Sequence, residues 1–162
     1  MRMRKTLFIL FFISGLLARQ SIVYFYVIPF DNLKDDPTIE WISSGLSDMV
    51  SNRFKSEPGL LIQDKKDLEI MMNDRSLMLK QPIASRNLLL LGKYFRQLDK
   101  INISIQLIDL ATWDQIEKKD IAAEYSDITK MKKEVSDNIS SMIAPYLPKG
   151  KNQISAVLPK FI

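Results

Sequence analysis

An unbroken apolar run at residues 22–30 (IVYFYVIPF) gives way to an acidic stretch (DNLKDDP), and then to apolar positions three and four apart through residue 54. Val23, Tyr24, Phe25, Tyr26, Val27 and Ile28 are all β-branched or aromatic, which predicts a strand covered on both faces and central in its sheet. Pro29 lacks the amide donor a ladder needs, so the strand is expected to stop there, with residues 30–37 as a connection. Asp36 suits an N-cap, with Pro37 at the first helical position. Ile39, Ile42, Leu46, Met49, Val50 and Phe54 form the apolar stripe of the helix that follows. Glu40, Ser43, Ser47, Asp48 and Lys55 are expected to face water.

Glu57, Pro58 and Gly59 break that pattern, and residues 60–63 predict a short strand parallel to the first, joined to it by a right-handed crossover. Asp64 is placed to cap a second helix carrying Leu68, Met71, Met72 and Leu77, its methionines read as core. Residues 87–95 predict another buried strand, in which Gly92 marks a bulge or a close backbone approach. Residues 101–109 alternate strictly, with Ile101, Ile103, Ile105 and Leu107 on one face and Asn102, Ser104, Gln106 and Ile108 on the other. This pattern predicts an antiparallel hairpin turning near Leu98–Lys100. A second turn at Ala111, Thr112 and Trp113 leads to a charged edge strand over 115–121 or a little beyond. Apolar residues from Ile128 to Tyr146 at helical spacing, capped by Ser126 or Asp127 and ended by Pro145 and Pro148, give a last helix.

The expected fold class is therefore α/β, of mixed α+β character. About five strands in a mixed parallel and antiparallel sheet combine with three helices, in the order β-α-β-α-β-β-β-α. At 162 residues and 46% apolar content this is one domain, assigned to residues 19–147, with a tail at 148–162 that the pattern leaves unplaced.

Residues 1–18 change the picture of location. A basic start (MRMRK) runs into an apolar segment (LFILFFISGLLA), followed by Arg19 and Gln20. This is the pattern of a secretory signal peptide, with Ala18 as the small residue before a cut and Leu16 larger than usual three positions before it. The alternative is an uncleaved inner-membrane anchor, for which the run is shorter than the roughly 20 residues that span a bilayer. No cysteine stands near for lipidation. The expected location is the periplasm or the cell envelope. Three of the 23 basic residues, Arg2, Arg4 and Lys5, belong to this leader, leaving 20 against 19 acidic ones, a balance that points away from a nucleic-acid partner.

The chain has neither cysteine nor histidine. Disulfides, thiol nucleophiles, imidazole bases and the usual zinc ligands are thereby excluded. There is no phosphate-binding or dinucleotide glycine pattern, and Ser43, Ser44 and Ser47 flank Gly45 without a nucleophile elbow. No catalytic residue and no cofactor is assigned. Asp31, Asp35, Asp36 and Glu40 form the densest carboxylate group, readable as calcium or magnesium ligands but better explained as a capped, solvated turn. This loop is expected beyond the carboxyl ends of the parallel strands, where open α/β sheets bind their ligands. Trp41 either anchors an interface beside the loop or closes the core beneath it. The candidate binding residues are Asp31, Asn32, Asp35, Asp36 and Trp41.

VIPFDNLKDDPTIEWISSGLSDMV, together with LLLLGKYFRQLDKINISIQLIDLATWDQI downstream, resembles the TolB amino-terminal-domain-like family, over residues 27–143. The shared features are a strand ending in a V-x-P-F-like motif, an N-L-x-x-D-P-like loop, a helix opening with Glu and an aromatic, and a Q-L-I-D-x-x-T strand. Relatives of this shape include the flagellar protein FlgO and the curli-secretion protein CsgG, which are lipoproteins, whereas this chain lacks the lipidation cysteine. The β-propeller of TolB is also absent. The resemblance implies a non-catalytic, exported protein-interaction or assembly module of the bacterial envelope, bound to a protein partner. The alternatives are a regulatory or ligand-binding domain tethered by its N-terminus, and a small-ligand or metal-dependent protein using residues 31–36.

Overall fold

The computed structural model describes residues 22–148; the leader expected at 1–18 and the tail beyond residue 148 lie outside the described residues. Strand β1 (Val23–Val27) is followed by a two-residue strand β2 (Asp31–Asn32), a 3-10 turn (Pro37–Ile39) and helix α1 (Trp41–Phe54). Then come β3 (Leu60–Gln63), α2 (Lys65–Asn73), the one-turn α3 (Ser76–Leu79), β4 (Arg86–Gln97), β5 (Lys100–Asp109) and β6 (Gln115–Glu124). Helix α4 (Ile128–Ile143) runs into a final 3-10 turn (Ala144–Tyr146). The sheet order is β3-β1-β4-β5-β6, with β2 paired to β4. β1 lies parallel to β3 and β4, whereas β4, β5 and β6 are antiparallel. The expected mixed sheet is the one observed, with β2 and α3 added to its order; β1 has a strand on each side, but β4 and not β1 takes the middle place, because the hairpins β4-β5-β6 extend the sheet on one side only.

The unbroken apolar sequence of β1 follows from its position. Val23, Phe25 and Val27 enter the main core, which α1 and α4 cover, while Tyr26 on the other face packs with Met71 of α2 and Leu89 of β4. In α4 the residues Met131, Val135, Ile139, Met142 and Ile143 are all buried, each contributing about 1.5–3 kcal/mol by leaving water. Asp64 and Asp67 form a reciprocal capping box at the start of α2, satisfying two otherwise orphaned amides. Two expected facings are corrected. Ser47 is buried on α1, its hydroxyl donating to the Ser44 carbonyl at 2.9 Å, because a residue bonded back to its own helix can enter an apolar interface. Met72 is exposed, since α2 covers the sheet along the row of Leu68 and Met71 and turns Met72 outward.

Pro29 ends β1 as expected, but residues 30–37 are more than a connection. The ladder resumes one step on, with Asp31 opposite Lys93 and Asn32 opposite Tyr94. Between Val27, opposite Leu90, and Asp31, opposite Lys93, the leaving strand spends four steps against three on β4. The excursion turns Phe30 into the main core, where it is buried against the backbone of Gly92. A Cβ at residue 92 would stand 2.1 Å from the Phe30 ring. Gly92 itself pairs regularly with Ile105, so it is a close approach; the ladder's irregularity falls instead at Leu107/Ile108, between β5 and β6.

Gly92→Ala is expected to destabilise the fold by about 1–3 kcal/mol, because a fully enclosed ring has nowhere to go. Denaturant unfolding checks this, and Phe30→Leu in the same chain should recover part of the loss through direct coupling.

Candidate functional site

The resumed ladder carries the loop at residues 31–36 past the end of β1, held against β4 by the amide of Leu33, which donates to the Tyr94 carbonyl at 2.9 Å. Asp35 donates its amide to the Asn32 carbonyl and takes a φ of 48°, a left-handed conformation that Asp tolerates better than most residues. The Asn32 side chain is the loop's brace. Its Nδ2 donates to the Asp36 carbonyl at 2.9 Å and to Glu40 Oε2 at 2.8 Å, while its Oδ1 is buried with no partner. Asp36 caps the 3-10 turn as expected, its Oδ1 accepting from the Thr38 amide at 2.9 Å and the Thr38 hydroxyl at 2.7 Å. Those bonds hold its carboxyl below the ordinary carboxylate range. At the start of α1, Ser43 donates its hydroxyl to the Phe30 carbonyl at 2.6 Å, tying helix to strand.

The five expected site residues thus share one end of the sheet but not one focus. Asn32, Asp36 and Glu40 are spent on holding the loop, whereas Asp31 and Asp35 point to solvent. No three acidic side chains converge in a way that would hold a metal ion among the described residues. Trp41 opens α1 and is 43% exposed, with Gly45 one turn on beneath its ring. Phe30 and Ile39 close the core under the loop, so Trp41 does not.

A feature that local reading missed lies beside the loop. Helix α2 covers the second face of the sheet only over β1 and the first half of β4. Past it, an open cleft of about 300 Å³ is lined by Leu33, Lys93, Phe95, Ser104, Asp120 and Ala122. Leu33 is half-exposed, and Lys34 reaches from the loop to lie 4.9 Å from the centre of the Phe95 ring. Lys118 pairs with Asp120 at 3.0 Å on the same face. The traces in the sequence were Leu33, an apolar residue within an acidic loop, and Phe95, an aromatic on the strand face that Lys93 shares.

Tyr94 lies beneath the loop, with its hydroxyl 3.5 Å from the Glu40 carbonyl. Burial, reinforced by the Glu40 carboxylate, pushes its phenol up to about 12.

No family model and no curated protein sequence matches the chain. Among solved structures it is similar to TolB from Acinetobacter baumannii, with a TM-score of 0.52 and 17% identity, over 78% of this chain and 29% of that one. The chain therefore spans less than a third of the TolB chain it matches, and at this identity the two share a fold. It is also similar to a PelC dodecamer from Paraburkholderia phytofirmans (TM-score 0.46, 12% identity, 81% of this chain and 91% of that one). Lipoprotein GNA1162 from Neisseria meningitidis matches with a TM-score of 0.40 and 11% identity, over 78% and 99% of the two chains. The fold shared with TolB agrees with the resemblance in residues 27–143.

Two outcomes follow from this geometry. Asn32→Ala and Asp36→Ala should each cost about 1 kcal/mol in denaturant unfolding, through lost bracing and capping, while Asp31→Ala and Asp35→Asn, the latter keeping a side chain that tolerates the left-handed backbone, stay within about 0.5 kcal/mol of the parent. The raised Tyr94 pKa fixes the sign of an alkaline effect. The unfolded chain releases this proton near pH 10 and the folded chain near 12, so stability held below about pH 10 falls as pH rises through that window. Tyr94→Phe should make the fall less steep, and phenolate absorbance should show Tyr94 ionising after the exposed tyrosines.

Proposed function

We propose that this domain is a non-catalytic, exported module of the bacterial envelope that works by holding a protein partner at the end of the sheet carrying the 31–36 loop. The observation that carries the reading is the uncovered half-face. Leu33 and Phe95 border a cleft at the lower size limit of small-molecule sites, open enough for a partner's side chains. Around the corner of the loop stands the exposed indole of Trp41, of the residue type that most often dominates binding energy at interfaces. The acidic residues support the same reading, because those that are bonded stabilise the loop and the others form no oxygen cage. The leader at residues 1–18 supports export, and the resemblance to the TolB amino-terminal-domain-like family supports action through protein contacts.

The test is site-specific photocrosslinking of the full chain in its own envelope. A photoreactive residue at Leu33 or Trp41 should give one discrete protein adduct, and one at the exposed Asn52 near the far end of α1 should not. Leu33→Asp should weaken formation of the Trp41 adduct about tenfold, as expected for loss of an anchor worth about 1.4 kcal/mol. Equal adducts at all three positions, or none at Leu33 and Trp41, would refute the reading.

A further inference from the structure

The opposite end of the sheet gathers a different set of groups. Ile22, where the described chain begins, accepts a hydrogen bond from the Arg86 amide at 2.9 Å, and Val23 lies opposite Arg86 in the ladder. The turn before β4 presents Ile83 at 90% exposure, and the last residue of α3, Leu79, is 86% exposed. Leu98 in the β4–β5 turn is as open, at 86%, so exposure alone does not set this end apart; what does is that Leu79 and Ile83 are joined there by an indole and by the start of the described chain. The neighbouring β5–β6 turn holds Trp113, 44% exposed, its amide donating to the Asp109 carbonyl at 2.7 Å. Ile83 and Ala111 line one cleft with Arg86 and Asp109, so the two turns are adjacent. Arg86 joins them further, 3.7 Å from Asp109 and over the Tyr146 ring.

The sequence says what lies next to this end. The apolar segment at residues 7–18 stops three residues before Ile22. A fully extended chain bridges Ala18 to Ile22 in at most about 14 Å. A dozen residues as apolar as LFILFFISGLLA partition into lipid, so while they are retained the domain's near end is held within that distance of a membrane surface. Arg75 and Lys80, which flank Leu79 in sequence, and Asp74 and Asp114, which flank Arg75 and Trp113, are two charges of each sign, which leaves apolar insertion as the driving term.

We propose that the end of the domain bearing Leu79, Ile83 and Trp113 is seated on a lipid bilayer, with these three side chains at headgroup level and the segment at residues 7–18 as the adjoining tether. An indole at this depth is in its preferred environment, with an apolar body and a polar N–H. The inference uses the end of the sheet away from the partner site, so either can fail without the other.

The two tryptophans make the test internally controlled. Trp41 lies near the level of Tyr94, eight strand residues and roughly 26 Å along β4 from Arg86, beyond the reach of a quencher in the acyl chains. The full chain is mixed with phosphatidylcholine vesicles brominated on the upper acyl carbons, using Trp41→Phe to isolate Trp113 and Trp113→Phe to isolate Trp41. Trp113 emission should shift to the blue and fall about twofold, with Trp41 unaffected. Leu79→Asp with Ile83→Asp keeps the tether and, both positions being exposed, keeps the fold, as circular dichroism would verify; it should abolish the quenching of Trp113. Equal quenching of both tryptophans, quenching of neither, or quenching of Trp113 that survives the double substitution would overturn the proposal.

Discussion

The contact between the Phe30 ring and the bare backbone at Gly92 is the constraint on which this structure turns. Pro29 ends the ladder of β1, and a chain that simply left the sheet there would expose the amides of the next residues. Phe30 instead drops into the core over the one position of β4 that has no side chain, and the ladder resumes at Asp31 and Asn32. Everything above follows from that placement. Asn32 comes within reach of Glu40, Leu33 bonds to Tyr94, and Ser43 ties α1 back to the Phe30 carbonyl. An exposed loop is thus held by a buried aromatic contact, and its geometry is set by core packing more than by its own charges.

The two faces of the sheet are covered unequally. Helices α1 and α4 close the whole of one face, while α2, which follows from the edge strand β3, reaches only the β1 side of the other. The remainder of that face, over β4, β5 and β6, stays half-polar and open. At one end it meets the braced loop and Trp41. At the other end the described chain enters at Ile22, and close to its far end the Tyr146 ring lies under Arg86, the first residue of β4. The open cleft with its braced loop and the two ends of the described chain therefore fall at opposite ends of the strands.

Local pattern was a good guide wherever a single burial decision repeats along the chain. The alternation of Ile101, Ile103, Ile105 and Leu107 reports one wet face and one dry one, and the unbroken apolar run of β1 reports two covered faces. The α4 stripe and the caps at Asp36 and Asp64 were legible for the same reason, since each depends on neighbours within a turn. Such features are written in spacing because the hydrophobic effect and backbone hydrogen bonding act on them locally.

Tertiary structure decided the rest. A two-residue strand of Asp and Asn carries no strand signal; β2 exists because β4 offers it a partner and Gly92 admits Phe30. Whether Trp41 would close the core or face solvent rested on Phe30 and Ile39 filling the space beneath it. The cleft between Leu33 and Phe95 joins residues 62 positions apart and needs both the register of β4 and the edge at which α2 stops. Sequence by itself determined the class of fold, an interior strand with both faces covered, and the caps. Which surfaces remained open was settled by packing, because the covering of one element depends on where another is laid.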